Sequence, residues 1–155
     1  VRLYVLDKYV SQERNTPAEE ARHILRMLKS WNVEPWQIDE ARGDSNSAGR
    51  MGLGFSVNQL LERGFAKALG SARPPFTIHV PYKGPGSIRA RARMLSSACV
   101  EGTFMVHEGC GELISTLRHW RGESTGDLKH HFDAVGYIAE CFLTESLEGS
   151  TFLII

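Results

Sequence analysis

Arg2 to Val10 sets Leu3, Val5 and Asp7 on one face and Tyr4 and Leu6 on the other, which predicts a strand covered on both sides. The polar run Ser11 to Asn15 ends it. Thr16 then predicts a helix cap, with Pro17 at the first helical position and Glu19 and Glu20 in the first turn. Ala21, Ile24, Leu25, Leu28 and Trp31 follow at helical spacing as a buried stripe. Asn32 to Pro35 stops that helix, and Trp36 to Ala41 predicts a second strand. Gly43, Asp44, Ser45, Asn46 and Ser47 at its carboxyl end predict a turn, the place in a strand–helix unit where side chains reach a crevice.

Ser56 predicts a cap for a helix through Val57, Leu60, Leu61 and Phe65, and Phe76 to Val80 predicts a third strand after the Pro74-Pro75 stop. Lys83-Gly84-Pro85-Gly86-Ser87 opens a helix through Ile88, Ala92, Leu95 and Cys99. A short strand at Thr103 to His107, a short helix from Glu112 to Trp120 and a long helix from about Leu128 to Leu143 complete the pattern. No internal repeat interrupts it. The alternation predicts an α/β fold, a mixed sheet flanked by helices.

Composition narrows the class. With 155 residues and 42% hydrophobic content the chain has the size of one domain with a sizeable core. Lys plus Arg and Asp plus Glu each number 18, so no global field draws the protein to nucleic acid or to an anionic membrane, and any grip on DNA must come from local patches. Cys99, Cys110 and Cys141 are odd in number and widely spaced, as reduced thiols of a cytoplasmic protein are, and all three are expected in or just beneath the core. The apolar runs fall short of the ~18 residues that span a bilayer, and Val1 does not open a signal peptide, so a soluble intracellular protein is expected.

Two carboxylates stand where chemistry is plausible. Asp44 sits at a strand end. Asp133 lies early in the last helix, three residues after His130 and on the same helix face, among Ala134, Val135, Tyr137, Ile138, Cys141 and Phe142, where a charge needs a cation or a partner. Plainer accounts exist for each: a turn aspartate bonding its own backbone, or an early-helix acid favoured by the macrodipole beside a solvent-facing histidine. Lys83, Arg89 and Arg93 gather at a glycine-containing helix start, where they suit phosphate or form a solvated face. His23, His79, His107 and His119 lack ligand spacing, no nucleophilic triad order stands out, and the Gly52-x-Gly54 and Gly84-x-Gly86 pairs are incomplete as nucleotide fingerprints.

Taken together and in order, several segments resemble the nuclease domain of tailed-phage terminase large subunits. Gly43-Asp44 and the Gly-x-Ser-x-Asn-x-Leu-Leu-x-x-Gly run from Gly54 to Gly64 resemble its middle. Val80-Pro81-Tyr82-Lys83, Gly86-Ser87-Ile88, Val106-His107, Cys110, Leu113-Ile114 and Lys129-His130-His131-Phe132-Asp133-Ala134-Val135-Gly136-Tyr137-Ile138 resemble the segments that close it. The resemblance covers roughly Arg2 to Leu143. It implies a ribonuclease H/integrase-like fold whose acidic cluster binds two Mg²⁺ or Mn²⁺ ions, with Asp44 matching the family's second acid, Asp133 its third, and His130 the histidine three residues before it in some members. Lys83, Arg89 and Arg93 become candidate DNA contacts.

The family's first acid would fall upstream of Arg2, so the resemblance implies a domain lacking its first strands, in the carboxyl-terminal part of a larger protein with an ATPase domain upstream. Asp7 lines up instead with the acidic residue after the family's third strand. The implied function is endonucleolytic cutting of double-stranded concatemeric DNA during genome packaging in the host cytoplasm, with the small terminase subunit and the portal as partners and no membrane. The alternative is a non-catalytic nuclease-fold module that binds DNA or docks packaging partners. On the acid-cluster reading, Asp133→Asn is expected to leave the fold intact or slightly stabilised, by relieving repulsion among crowded carboxylates.

Overall fold

A computed structural model describes residues 2–9, 14–44, 54–81, 83–122, 127–144 and 152–154. The chain divides into two compact units. One is a continuous stretch, residues 9–81, joined by 150–153 and 155; the other combines residues 1–8 with 82–149 and 154.

In the first of these units, α1 (Pro17–Ser30) begins as the sequence predicts. Thr16 accepts from the Glu19 backbone amide, and the Glu19 carboxylate accepts from the Thr16 backbone in return. Its buried stripe is Ala21, Ile24 and Leu28, with Leu25 and Trp31 half-buried. The strand expected from Trp36 to Ala41 is displaced. Pro35–Gln37 forms a 3-10 turn, Trp36 is 70% exposed, and the strand β2 is Glu40–Arg42. Pro35 accounts for the difference, since its fixed φ and missing N–H suit the first position of a helical turn better than a ladder.

The helix α2 (Val57–Leu69) carries a second reciprocal cap between Ser56 and Gln59, and ends on Gly70 in the left-handed region. A short strand β3 (Ile78–His79) runs parallel to β2, with Ala41 opposite Ile78 and Arg42 opposite His79. Glu62 of α2 ties the helix to β3 by accepting from the Ile78 amide at 2.7 Å. A terminal strand β5 (Phe152–Ile154), which the hydrophobic pattern does not single out, makes the sheet order β3-β2-β5. Ala21, Ile24, Leu28, Ile38, Ala41, Leu61, Phe65, Phe76 and Ile78 form this unit's core. The two helices meet closely at Gly64, where an added Cβ would lie 2.7 Å from the Pro17 carbonyl oxygen and 3.2 Å from Ala21 Cβ.

In the other unit, β1 (Leu3–Val5) pairs in parallel with β4 (Phe104–Val106), Leu3 opposite Phe104 and Val5 opposite Val106. Leu3 is buried, but Tyr4 and Leu6 are 53% and 41% exposed, so one face of β1 is open where cover on both sides is expected. Three helices complete the unit: α3 (Ser87–Val100), α4 (Gly111–His119) and α5 (Asp127–Thr144). Leu3, Leu95, Phe104, Cys110, Leu113, Phe132, Val135 and Ala139 form its core, and Trp120 stacks on Phe132 with ring centroids 3.8 Å apart.

All three cysteines are free thiols. Cys110 and Cys141 are buried as expected, whereas Cys99 lies exposed on α3. Among the described residues no helix is long and apolar enough to cross a membrane. The molecule is thus mixed α/β, with its short strands in two small sheets.

Candidate functional site

Among the described residues, α5 carries a buried charge. Phe132, Val135, Tyr137, Ala139 and Cys141 are all buried on this helix, and Asp133 is buried among them at 6% exposure. A bare carboxylate there would carry a heavy desolvation cost. Two cations offset it. Arg91 of α3 presents Nη2 at 3.5 Å from Asp133 Oδ1, and Lys129, one turn earlier on α5, donates from Nζ to Oδ2.

Arg91 is only 3% exposed. Its long stem crosses α5 at Gly136, where an added Cβ would lie 2.9 Å from Arg91 Cδ and 3.0 Å from Nε. Its guanidinium carbon stands 5.4 Å from the centre of the Tyr137 ring, and Lys83 Nζ stands 5.5 Å from the same centre. Arg91, Asp133, Gly136 and Tyr137 therefore form one assembly, with Lys83 at its edge. Gly136 is needed because any side chain would occupy the path of the arginine.

The other residues singled out by the sequence lie elsewhere in the same unit or in the other one. His130 is exposed on α5, while its neighbour His131 is half-buried, its Nδ1 3.0 Å from the Thr116 hydroxyl on α4. Lys83, Arg89 and Arg93 are exposed, the two arginines one turn apart on α3. Asp7 is exposed and accepts from the Lys8 backbone amide at 2.8 Å, and Lys8 pairs with Glu112. His23, His107 and His119 form local contacts: with Tyr9 and Arg26, with the Gly109 amide, and with Ser115.

Asp44 belongs to the unit built on α1 and α2 and directly follows β2, half-buried. Gly43 before it donates its N–H to the His79 carbonyl, 3.0 Å away. An added Cβ at Gly43 would lie 2.7 Å from Ile78 Cγ2 and 2.9 Å from Asn58 Oδ1, so a side chain where the chain leaves the sheet would displace Ile78 or Asn58. Asn58 is itself buried, and its Nδ2 has no hydrogen-bond partner among the described residues. Ser45, Asn46 and Ser47, expected in the turn with Asp44, lie outside the described residues.

Among the described residues no three His, Cys, Asp or Glu side chains are gathered as a ligand set. Asp133 Oδ2 accepts from the Lys129 ammonium, and His130, three residues earlier on the same helix, is exposed.

Arg91 and Lys129 are the residues that sequence reasoning passes over. Arg91 stands between Arg89 and Arg93 in sequence but points away from the face they share. The available signal is that it shares a helix face with Leu95, four residues on, while Ala90 and Ala92 beside it leave room. Compared with known proteins, the chain matches no family model, no curated protein and no solved structure.

Proposed function

We propose that this protein is a metal-dependent endonuclease of the terminase type, which hydrolyses double-stranded DNA with Asp133 as a ligand of Mg²⁺ or Mn²⁺ and His130 as a ligand or proton-transfer group; Asp44, which the resemblance matches to the family's second acid, is a separate candidate. The ordered motifs of the sequence support the reading. The observation that carries it is the burial of Asp133 among Phe132, Val135, Tyr137 and Ala139 of α5, with cations drawn to both of its oxygens. Carboxylates kept in such surroundings at an energetic cost are candidates for function. A divalent ion bound there would activate water and stabilise the leaving oxygen of a phosphodiester. The protein's own part is to hold the carboxylate in one orientation, through Arg91, and to offer the backbone phosphates an exposed basic edge at Lys83, Arg89 and Arg93. On this reading the fold is of the ribonuclease H-like class, the larger protein carries an ATPase domain upstream, and the small terminase subunit and the portal are its partners in the host cytoplasm.

One observation favours a second reading. Arg91 and Lys129 between them satisfy both oxygens of Asp133, as they would in a structural ion pair, and a non-catalytic module that binds DNA or docks packaging partners would need no more. One gel separates the two: supercoiled plasmid with Mn²⁺, with and without chelator, for the wild type, Asp44→Asn and Asp133→Asn. The nuclease reading expects chelator-sensitive nicking that both substitutions abolish. Nicking that persists in either variant removes that residue from the site, and a wild type that binds plasmid without cutting it leaves the binding module.

A further inference from the structure

The helices α1 and α2 border an open groove of about 420 Å³, lined by Glu19, Arg22, His23, Leu25 and Arg26 of α1 and Ala68 of α2. All six belong to one unit. Arg22, His23 and Arg26 are exposed, and Arg22 and Arg26 stand one helical turn apart, a spacing at which two like charges disfavour a helix. Neither arginine forms an ion pair among the described residues. The acids of the same helix are engaged elsewhere. The Glu19 carboxylate accepts from the Thr16 amide at 2.7 Å and from the Thr16 hydroxyl at 2.8 Å, and these contacts hold its carboxyl low more than Arg22 or His23 does. The Tyr9 hydroxyl donates to Glu20. Arg26 instead brings Nη2 to 2.8 Å from His23 Nδ1, and the His23 ring stacks on Tyr9 with centroids 5.5 Å apart. A guanidinium only donates, so Nδ1 accepts and the ring proton is left on Nε2.

We propose that this groove is a phosphate-binding site, taking the phosphate of a nucleotide or a phosphate of the DNA backbone, with Arg22 and Arg26 as its charged contacts and His23 as a further donor. Two guanidinium forks and a ring N–H present donors in several directions, which suits the several oxygens of a phosphate better than the two of a carboxylate. A phosphate between the arginines would also relieve their mutual repulsion, which nothing within the helix does. Leu25 and Ala68 give the groove an apolar side, against which the sugar and base attached to the phosphate can lie. The site stands apart from Asp133 and does not depend on how that carboxylate is read.

The test titrates the isotope-labelled 155-residue chain with thymidine monophosphate, with thymidine and with a short DNA duplex carrying hydroxyl ends, following backbone amide shifts by nuclear magnetic resonance and affinity by calorimetry. The variants are Arg22→Gln, Arg26→Gln and, as a control of equal charge outside the groove, Lys29→Gln. The monophosphate, the duplex or both should shift the amides of Arg22, His23 and Arg26, whereas thymidine, which has no phosphate, should not. Each arginine substitution should weaken that binding about tenfold, the effect of one charge-assisted contact, and Lys29→Gln far less. Because the arginines repel each other in the free protein, either substitution should leave the melting temperature unchanged or higher, which separates lost binding from lost folding. Shifts with the monophosphate alone make this a nucleotide site, and shifts with the duplex alone make it a grip on the DNA backbone. No shift at these residues with either probe overturns the proposal. An equal loss in Lys29→Gln overturns it as well, since the helix would then be a diffusely basic face.

Discussion

Asp133 shows how far surroundings can reverse an expectation. Among crowded carboxylates its replacement by asparagine should relieve repulsion, but its nearest charges are the cations Arg91 and Lys129. Asp133→Asn removes one charged partner of the 3% exposed Arg91 guanidinium. The expected result is therefore destabilisation by about 1–3 kcal/mol, less than the roughly 3–5 kcal/mol that breaking a buried pair costs, because the new amide oxygen still accepts a hydrogen bond. Urea unfolding checks the sign, and a variant as stable as the wild type would show that Arg91 finds other support. Gly136→Ala should act on the same contacts from the other side. A Cβ 2.9 Å from Arg91 Cδ forces the arginine to shift, and the melting temperature should fall although alanine is the better helix former.

At the scale of elements, the helices were the most legible part of the sequence. Thr16 and Glu19, or Ser56 and Gln59, satisfy the first amides of their helices reciprocally, and that chemistry is local enough to read without a fold. The strands were less so. Trp36 reads as strand by its apolar character but sits on an exposed turn that Pro35 begins, and β5 carries no alternation that marks it. Of the candidate site, the burial of Asp133 was readable from its apolar neighbours. Of its partners, Lys129 stands one turn earlier at a spacing that pairs opposite charges, whereas Arg91, forty-two positions earlier, is invisible to any periodicity.

The caps also set a pH dependence. The Thr16 backbone N–H and hydroxyl hold the Glu19 carboxyl below its usual range. A lowered folded-state value means that this contribution is present at neutral pH and is lost as pH falls through that value. The stability gap between wild type and Glu19→Ala should therefore narrow as pH drops below 4.5, and a gap constant with pH would exclude the carboxylate's part. In the same helix pair, Gly64→Ala should destabilise. Alanine gains up to about 1 kcal/mol of helix propensity, but its Cβ would stand 2.7 Å from the Pro17 carbonyl, and separating two packed helices costs about 1–3 kcal/mol.

For the whole molecule, a formal net charge of zero leaves any affinity for DNA to local patches. Lys83→Ala combined with Arg89→Ala should weaken binding at low salt and flatten its salt dependence by roughly one unit of slope for each phosphate no longer neutralised. An unchanged slope would mean that this edge is merely solvated. The division into two units has a different consequence, for the order of events during synthesis. Residues 9–81 are contiguous and contain the nine described residues of their core, so a nascent chain can close that unit early, with β5 joining its sheet later. The other unit must wait. Leu3 finds its partner only when Phe104 has been made, and the core that receives both needs Phe132 and Val135 as well. Such a long sequence separation slows pairing, and until it is complete β1 emerges from the ribosome as an apolar segment with an unpaired edge, the stage at which this chain most needs a chaperone.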